Sequence, residues 1–144
     1  MMLDMASGYH HIAVGPESRP VTVFVTLDHP CEWLRMPFGV INGPAVFQRA
    51  VHQGLGNVLG NVALTYLDDV LIAAAEIDEA LHKLEKMLEA LREARLTLRL
   101  LKCKFLATTL DYLGQEFRGQ GIRPAQTKIS AVKQFPVPKD VHQI

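Results

Sequence analysis

Two adjacent carboxylates, Asp68 and Asp69, stand between the apolar runs Val62-Ala63-Leu64 and Val70-Leu71-Ile72, within Tyr66-Leu67-Asp68-Asp69. Like charges held side by side in an apolar setting repel each other and lose hydration, so they require a counter-ion. A divalent cation meets that requirement, because Mg²⁺ favours carboxylate oxygen and leaves ligand positions for water and substrate phosphates. Aspartate is also common in turns, so these two residues alone leave open a solvated hairpin tip with no chemistry. A third acid, Asp4, lies in the apolar stretch that opens the chain, and a strand there can lie beside a hairpin carrying Asp68 and Asp69. Three carboxylates meeting at a strand end and a hairpin tip would hold two Mg²⁺ ions. Such a pair clamps an in-line phosphoryl displacement, one ion activating the attacking hydroxyl and the other steadying the leaving pyrophosphate.

Met1 to Met5 reads as the end of a strand and Ala6-Ser7-Gly8 as a tight turn. Tyr9 to Val14, Val21 to Thr26 and Cys31 to Met36 have the composition of strands. Gly15-Pro16-Glu17-Ser18, Leu27-Asp28-His29-Pro30, and Pro37 with Gly39 punctuate them. A helix is predicted over Pro44 to Leu55, with the proline in its tolerated first turn and Gly54, Gly56 and Gly60 ending it. Val62 to Ala74 is the hairpin that carries the two acids. The clearest helix runs from Ile77 to Arg95, where Leu81, Leu84, Leu88 and Leu91 recur at helical spacing and predict a core-facing stripe. Leu110 to Phe117 and Gln120 to Arg123 predict a hairpin across Arg118-Gly119. Ala125 to Phe135 predicts a short helix that Pro136 and Pro138 end. This order implies an α+β fold, an antiparallel sheet with helices packed on one face.

With 144 residues, 49% of them hydrophobic and 21% charged, the chain has the length and composition of one ordinary globular domain. No apolar stretch approaches a membrane span and no signal-peptide pattern opens the chain, so the expected setting is intracellular and off the membrane. Cys31 and Cys103 are far apart and in no metal-ligand spacing, which fits a reducing compartment. His10 and His11 are neighbours, and on a strand they would point to opposite faces. The formal net charge is zero, whereas a basic domain is the usual footprint of a nucleic-acid binder. Either the partner is not a polyanion, or the basic surfaces belong to other parts of a longer polypeptide. The ends favour the second: the chain starts inside a strand-like run and stops at Asp140-Val141-His142-Gln143-Ile144, which reads like the opening of another helix. A sheet that binds single-stranded RNA would need exposed aromatics and a basic face, and the 7% aromatic content argues against it.

Several blocks occur in the order and spacing of reverse transcriptases. They are Leu3-Asp4-Met5-Ala6-Ser7-Gly8-Tyr9-His10, Phe24-Val25-Thr26, Leu34-Arg35-Met36-Pro37-Phe38-Gly39, Pro44-Ala45-Val46-Phe47-Gln48 and Tyr66-Leu67-Asp68-Asp69. Lys102-Cys103-Lys104-Phe105, Tyr112-Leu113-Gly114 and Gly121-Ile122-Arg123-Pro124 extend the match. The chain most resembles the RNA-directed DNA polymerases of gypsy-type long-terminal-repeat retrotransposons, over nearly its whole length. The resemblance implies the palm subdomain of a right-hand polymerase over residues 1–124, with a remnant of the fingers in 10–45. Residues 125–144 would start the segment leading towards the thumb and connection.

By the same resemblance Asp4, Asp68 and Asp69 are the catalytic, metal-binding carboxylates, with the Met5 backbone carbonyl as an extra ligand for two Mg²⁺ or Mn²⁺ ions. Tyr9 matches the aromatic gate beneath the incoming sugar, and Phe38 and Gly39 line the nucleotide pocket. Pro44 and Gln48 lie nearer the template, Tyr66 and Leu67 face the primer end, and Leu113 and Gly114 belong to the hairpin that grips the primer. On their own residues, Pro37-Phe38-Gly39 could be only a turn before a helix, and Leu-Gly an ordinary hairpin turn. Arg99, Lys102 and Lys104 suit phosphate contacts and a solvated basic strand equally.

The implied activity is transfer of a nucleotide from a deoxynucleoside triphosphate to a primer 3′-hydroxyl on an RNA or DNA template. The implied setting is a polyprotein with fingers, thumb and ribonuclease H, cytoplasmic or nuclear and particle-associated. The chain departs from the family at Val21 and Ile41, where basic residues are common, and at Gln115, where histidine is common. Such departures suit a diverged active element, or an inert remnant kept as a binding or interaction module.

Overall fold

The computed structural model describes residues 1–119 and 121–134, and the chain divides into two compact units, Met1–Leu106 and a second that begins at Ala107. In the first unit, β1 (Met2–Asp4), β4 (Leu64–Tyr66) and β5 (Asp69–Leu71) form an antiparallel sheet in the order β1-β5-β4. Leu3 lies opposite Val70, and Val70 opposite Thr65. Because side chains alternate between faces, this one row turns inward while Asp4 and Asp69, the next pair along, turn to the other face.

The inward face is covered by two helices. Helix α1 (Gly43–Leu55) presents Gly43, Phe47, Val51 and Leu55 at successive turns, all buried. Its N-terminus carries Pro44, where a missing N–H costs nothing. Helix α2 (Ile77–Glu93) buries Ala80, Met87, Ala90 and Leu91, and opens on Asp78 and Glu79, acids suited to the positive end of a helix. Leu3, Met5, Phe47, Val51, Val70, Ile72, Met87 and Leu91 are closed to solvent and form the centre of the core.

Three sequence expectations are corrected here. Tyr9 to Val14 is not a strand. Ser7 takes a left-handed backbone (φ 51°), and Gly8–His11 then winds as a 3₁₀ turn in which His10 N–H donates to Ser7 O. The strands expected over Val21–Thr26 and Cys31–Met36 shrink to a two-residue ribbon, β2 (Phe24–Val25) with β3 (Pro30–Cys31), because Pro16–Thr22 coils as a 3₁₀ turn. On α2 the core-facing stripe is rotated. Leu91 is buried and Leu84 packs at the edge of the core, but Leu81 and Leu88 are exposed, and Ala80, Met87 and Ala90 take the buried positions instead.

The second unit is a meander of β6 (Thr109–Tyr112), β7 (Gln115–Arg118) and β8 (Gly121–Pro124), followed by α3 (Gln126–Lys133). The segment expected as one strand over Leu110–Phe117 breaks at Leu113-Gly114, where both residues have positive φ (51° and 73°), the pattern of a two-residue I′ turn. Buried Glu116 is held there by Arg118 and Arg123. The expected breaks at Pro136 and Pro138 lie outside the described residues.

Truncating Phe47 to alanine should lower stability by about 3–5 kcal/mol in urea unfolding. Leu88→Ala, on the face expected to be core, should change it by less than about 1 kcal/mol.

Candidate active site

The β4–β5 hairpin closes on the pair Tyr66 and Asp69, leaving Leu67 and Asp68 as its two-residue turn. Leu67 takes the left-handed conformation (φ 52°), the first position of a II′ turn and one that glycine ordinarily fills. Asp68 O accepts the Met5 N–H at 2.8 Å, so the turn is tied directly to the chain leaving β1. Asp4 faces Asp69 across the ladder. The three acids are thus brought to one end of the sheet by strand register and one hydrogen bond.

Their electrostatics are those of an uncompensated cluster. The Asp68 carboxyl is held above its ordinary range, first by burial and then by the charges of Asp4 and Asp69, with Arg99 and His11 opposing. The Asp69 carboxyl is raised by burial and by Asp4, with Lys102 opposing. Among the described residues Asp68 Oδ1 is buried without a hydrogen-bond partner, an expensive state for a charged acceptor. The nearest cation to Asp4 is Arg99, whose Nε lies 4.0 Å from Asp4 Oδ1 on a partly exposed side chain, an arrangement that stabilises little. Cys103 Sγ accepts the Asp4 N–H at 3.4 Å and fixes the strand from the other side.

This donor set fits a hard divalent cation: all-oxygen, anionic, mutually repelling, and with one orphaned acceptor. Among the described residues no group of three or more His, Cys, Asp or Glu side chains is arranged to hold a metal ion as it stands. The fit is one of donor chemistry: Mg²⁺ binds through one or two carboxylates and keeps much of its shell for water and phosphate oxygen.

Beside the acids lies an aromatic floor. The Tyr9 ring packs against Phe38 (centroids 5.3 Å apart) and Phe47 (5.5 Å). Buried Phe47 anchors this group to the core while Phe38 stays exposed. Phe38 and Gly39 (φ 90°) edge a cleft of about 830 Å³ that is further lined by His10, Phe24, Trp33, Val40 and Val46. Gly8 joins the two groups: a Cβ there would collide with Asp68 Oδ1 and with the Phe47 ring, so only glycine lets them meet.

Of the residues singled out from sequence, Asp4, Met5, Asp68, Asp69, Tyr66 and Leu67 come together at the sheet end. Tyr9 and Phe38 share the aromatic floor. Pro44 is exposed in the first turn of α1, and Gln48 reaches the acid-bearing turn, its Oε1 accepting the Leu67 N–H at 2.7 Å. Leu113 and Gly114 form the β6–β7 turn of the second unit. Sequence reasoning passed over Gly8, read as a plain turn residue. It also passed over the stack of His10 on Trp33 (5.7 Å, 7° between planes), for which the single tryptophan was the available signal.

The family profile described as "Reverse transcriptase (RNA-dependent DNA polymerase)" matches residues 1–117. The Retrovirus-related Pol polyprotein from transposon 297 of Drosophila melanogaster is 38% identical over 136 residues, 94% of this chain and 13% of that protein. Its counterpart from transposon gypsy of the same fly is 29% identical over 99% of this chain and 14% of its own length. The foamy viral protease-reverse transcriptase, solved in complex with double-stranded DNA, superposes with a TM-score of 0.90 at 25% identity, covering 99% of this chain and 25% of that one. The same enzyme with an RNA/DNA hybrid gives 0.86. The chain thus spans about one-seventh of the curated polyproteins it matches. The profile match over residues 1–117 and the transposon 297 relative show that this α+β chain is a member of the reverse transcriptase family.

Proposed function

We propose that this chain is the palm portion of a reverse transcriptase, extending through residue 124 with part of the fingers in residues 10–45. Its parent would add deoxynucleotides to a primer on an RNA or DNA template. The observation that carries this reading is the pairing of Asp4 with Asp69 beside the orphaned Asp68 carboxylate. Asp4, Asp68, Asp69 and the Met5 carbonyl would hold two Mg²⁺ or Mn²⁺ ions, which when bound supply Lewis-acid activation of the primer hydroxyl and charge neutralisation at the departing pyrophosphate. Tyr9, backed by Phe47, would support the sugar of the incoming nucleotide, and Phe38 and Gly39 would edge its pocket. Tyr66, half exposed at the head of the turn, would meet the primer end. Leu113 and Gly114 would grip the primer from the second unit. A duplex partner is supported by the foamy viral enzyme, solved with double-stranded DNA and with an RNA/DNA hybrid. The remainder of a particle-associated polyprotein would supply fingers, thumb and ribonuclease H.

A second reading, an inert remnant that at most binds a partner, draws on Val21 and Ile41. Both stand almost fully exposed (87% and 95%), at positions where the resemblance drawn from the sequence would lead one to expect basic residues. Measuring template–primer binding separately from extension divides the two readings.

Two outcomes are expected. With Mg²⁺ or Mn²⁺, the chain joined to fingers and thumb segments should extend a primer on RNA, and Asp68→Asn or Asp69→Asn should each lower the rate by about 10²- to 10³-fold, the cost typical of losing one preorganised electrostatic contact. Duplex binding with no extension under any of these conditions would favour the remnant. The second outcome concerns stability. Raised carboxyl pKa values mean that the folded state holds these protons more tightly than the unfolded chain. The contribution of Asp68 and Asp69 is therefore most favourable below about pH 4, the ordinary carboxylate value, and is lost as pH rises through the raised values. Without metal, Asp68→Asn should melt higher than the natural chain at pH 7, and the gap should close as pH falls towards 4. Adding Mg²⁺ should raise the melting temperature of the natural chain more than that of the variant.

A further inference from the structure

Gln48 sits in the middle of α1, one position past the buried Phe47, and its side chain turns towards the β4–β5 hairpin. Among the described residues, in the sheet order β1-β5-β4, strand β4 has a neighbour on one side only. Its other edge directs the backbone groups of Thr65 and Leu67 towards α1. The Gln48 carboxamide meets both. Its Oε1 accepts the Leu67 N–H at 2.7 Å, and its Nε2 donates to Thr65 O at 3.4 Å. A carbonyl at one residue and an N–H two residues on are the pair that a neighbouring strand would engage. The carboxamide of Gln48 offers the same acceptor and donor as a peptide group.

The Leu67 N–H can only donate and Thr65 O can only accept, so these two contacts fix which way this amide points, and a third contact is compatible with it. Gln48 Nε2 also lies 2.8 Å from His52 Nε2, one turn along the helix. With His52 accepting one amide proton and Thr65 O the other, the NH₂ group is fully used, and the oxygen is left for Leu67. Leu67 needs that hold, because it carries a side chain in a backbone conformation (φ 52°) suited to glycine, and such conformations persist only where surrounding contacts over-determine them.

We infer that Gln48 is a positioning residue: its carboxamide stands in for a missing strand on the open edge of β4, holds Leu67 left-handed, and so sets where Asp68 and Asp69 project. This differs from the template-side role that the family resemblance implies for the same residue. The hold on the turn stands on geometry alone, while its consequence for the acids rests on the metal-binding reading above.

The test uses the whole chain with Gln48→Leu, which removes donor and acceptor at similar size, and Gln48→Glu, which keeps an acceptor for the Leu67 N–H. Amide hydrogen exchange read residue by residue should show the Leu67 N–H exchanging at least about tenfold faster in Gln48→Leu and regaining protection in Gln48→Glu. Buried amides such as Val70 should stay unchanged in both. Mn²⁺ titration followed by electron paramagnetic resonance should show at least about fivefold weaker binding in Gln48→Leu. Unchanged exchange at Leu67 overturns the hold on the turn. Faster exchange with unchanged Mn²⁺ affinity overturns the positioning of the acids. Absence of Mn²⁺ binding in the natural chain overturns the metal reading, and the exchange result still decides the hold on the turn.

Discussion

Asp4 and Asp69 face each other across an antiparallel ladder, with Asp68 in the turn beside them, and the rest of the structure is what makes that placement possible. Left to themselves three carboxylates would separate and hydrate. They are held because Leu3 and Val70, one step back along the same two strands, are closed to solvent in the core. Side chains alternate along a strand, so the register that buries Leu3 against Val70 is the register that turns Asp4 towards Asp69. A slip of one residue would expose the apolar pair and bury the acids. Hydrophobic burial thus sets the geometry, and electrostatic repulsion is the cost it overcomes.

The surrounding parts serve this end of the sheet. Phe47 fills the space beneath Gly8 and backs Tyr9, so one core residue supports both the acid cluster and the aromatic floor. The segment after β1 crosses to the 95–104 region, where Arg99 N–H donates to Asp4 O and Ala6 N–H to Thr97 O, fastening Asp4 on its second side. Basic side chains stand near the acids but do not neutralise them. The Asp68 and Asp69 carboxyls remain raised in spite of Arg99, His11 and Lys102. A fold that only needed stability would gain by replacing these acids with neutral residues, which is why their presence speaks for a cation.

Much of this was legible in the sequence, and the failures have a common cause. The helices at Gly43–Leu55 and Ile77–Glu93 and the hairpin around Asp68-Asp69 agree with expectation, because each carries its own periodicity and its own stop residues. The proximity of Asp4 rests on the pairing that an α+β sheet permits between an opening strand and the hairpin, and then on the ordered motifs, since pairing between distant strands leaves no local signature. Tyr9 to Val14 reads as a strand from its apolar content, and Val21 to Thr26 from its β-branched residues. In the fold those side chains line a cleft and pack ring against ring, work that 3₁₀ turns do equally well. The leucine stripe of α2 misled similarly: periodicity locates an apolar face but not which part of it the sheet covers, and Leu81 and Leu88 fall outside. The fit of Gly8 against Asp68 and Phe47 and the contact of Gln48 with Leu67 left no sign in the sequence, because both involve groups that are remote along the chain.

In the proposed reading Asp4, Asp68 and Asp69, held close and underneutralised, would bind divalent cations. The most direct measurement is a crystal structure of the chain grown with Mn²⁺, read from the anomalous signal of the ion. Manganese is expected at the end of the β1–β5 ladder, bound by Asp68 Oδ1 and by oxygens of Asp4 or Asp69. Saturating Mn²⁺ with no anomalous peak there, and the Asp4–Arg99 contact undisturbed, would contradict it.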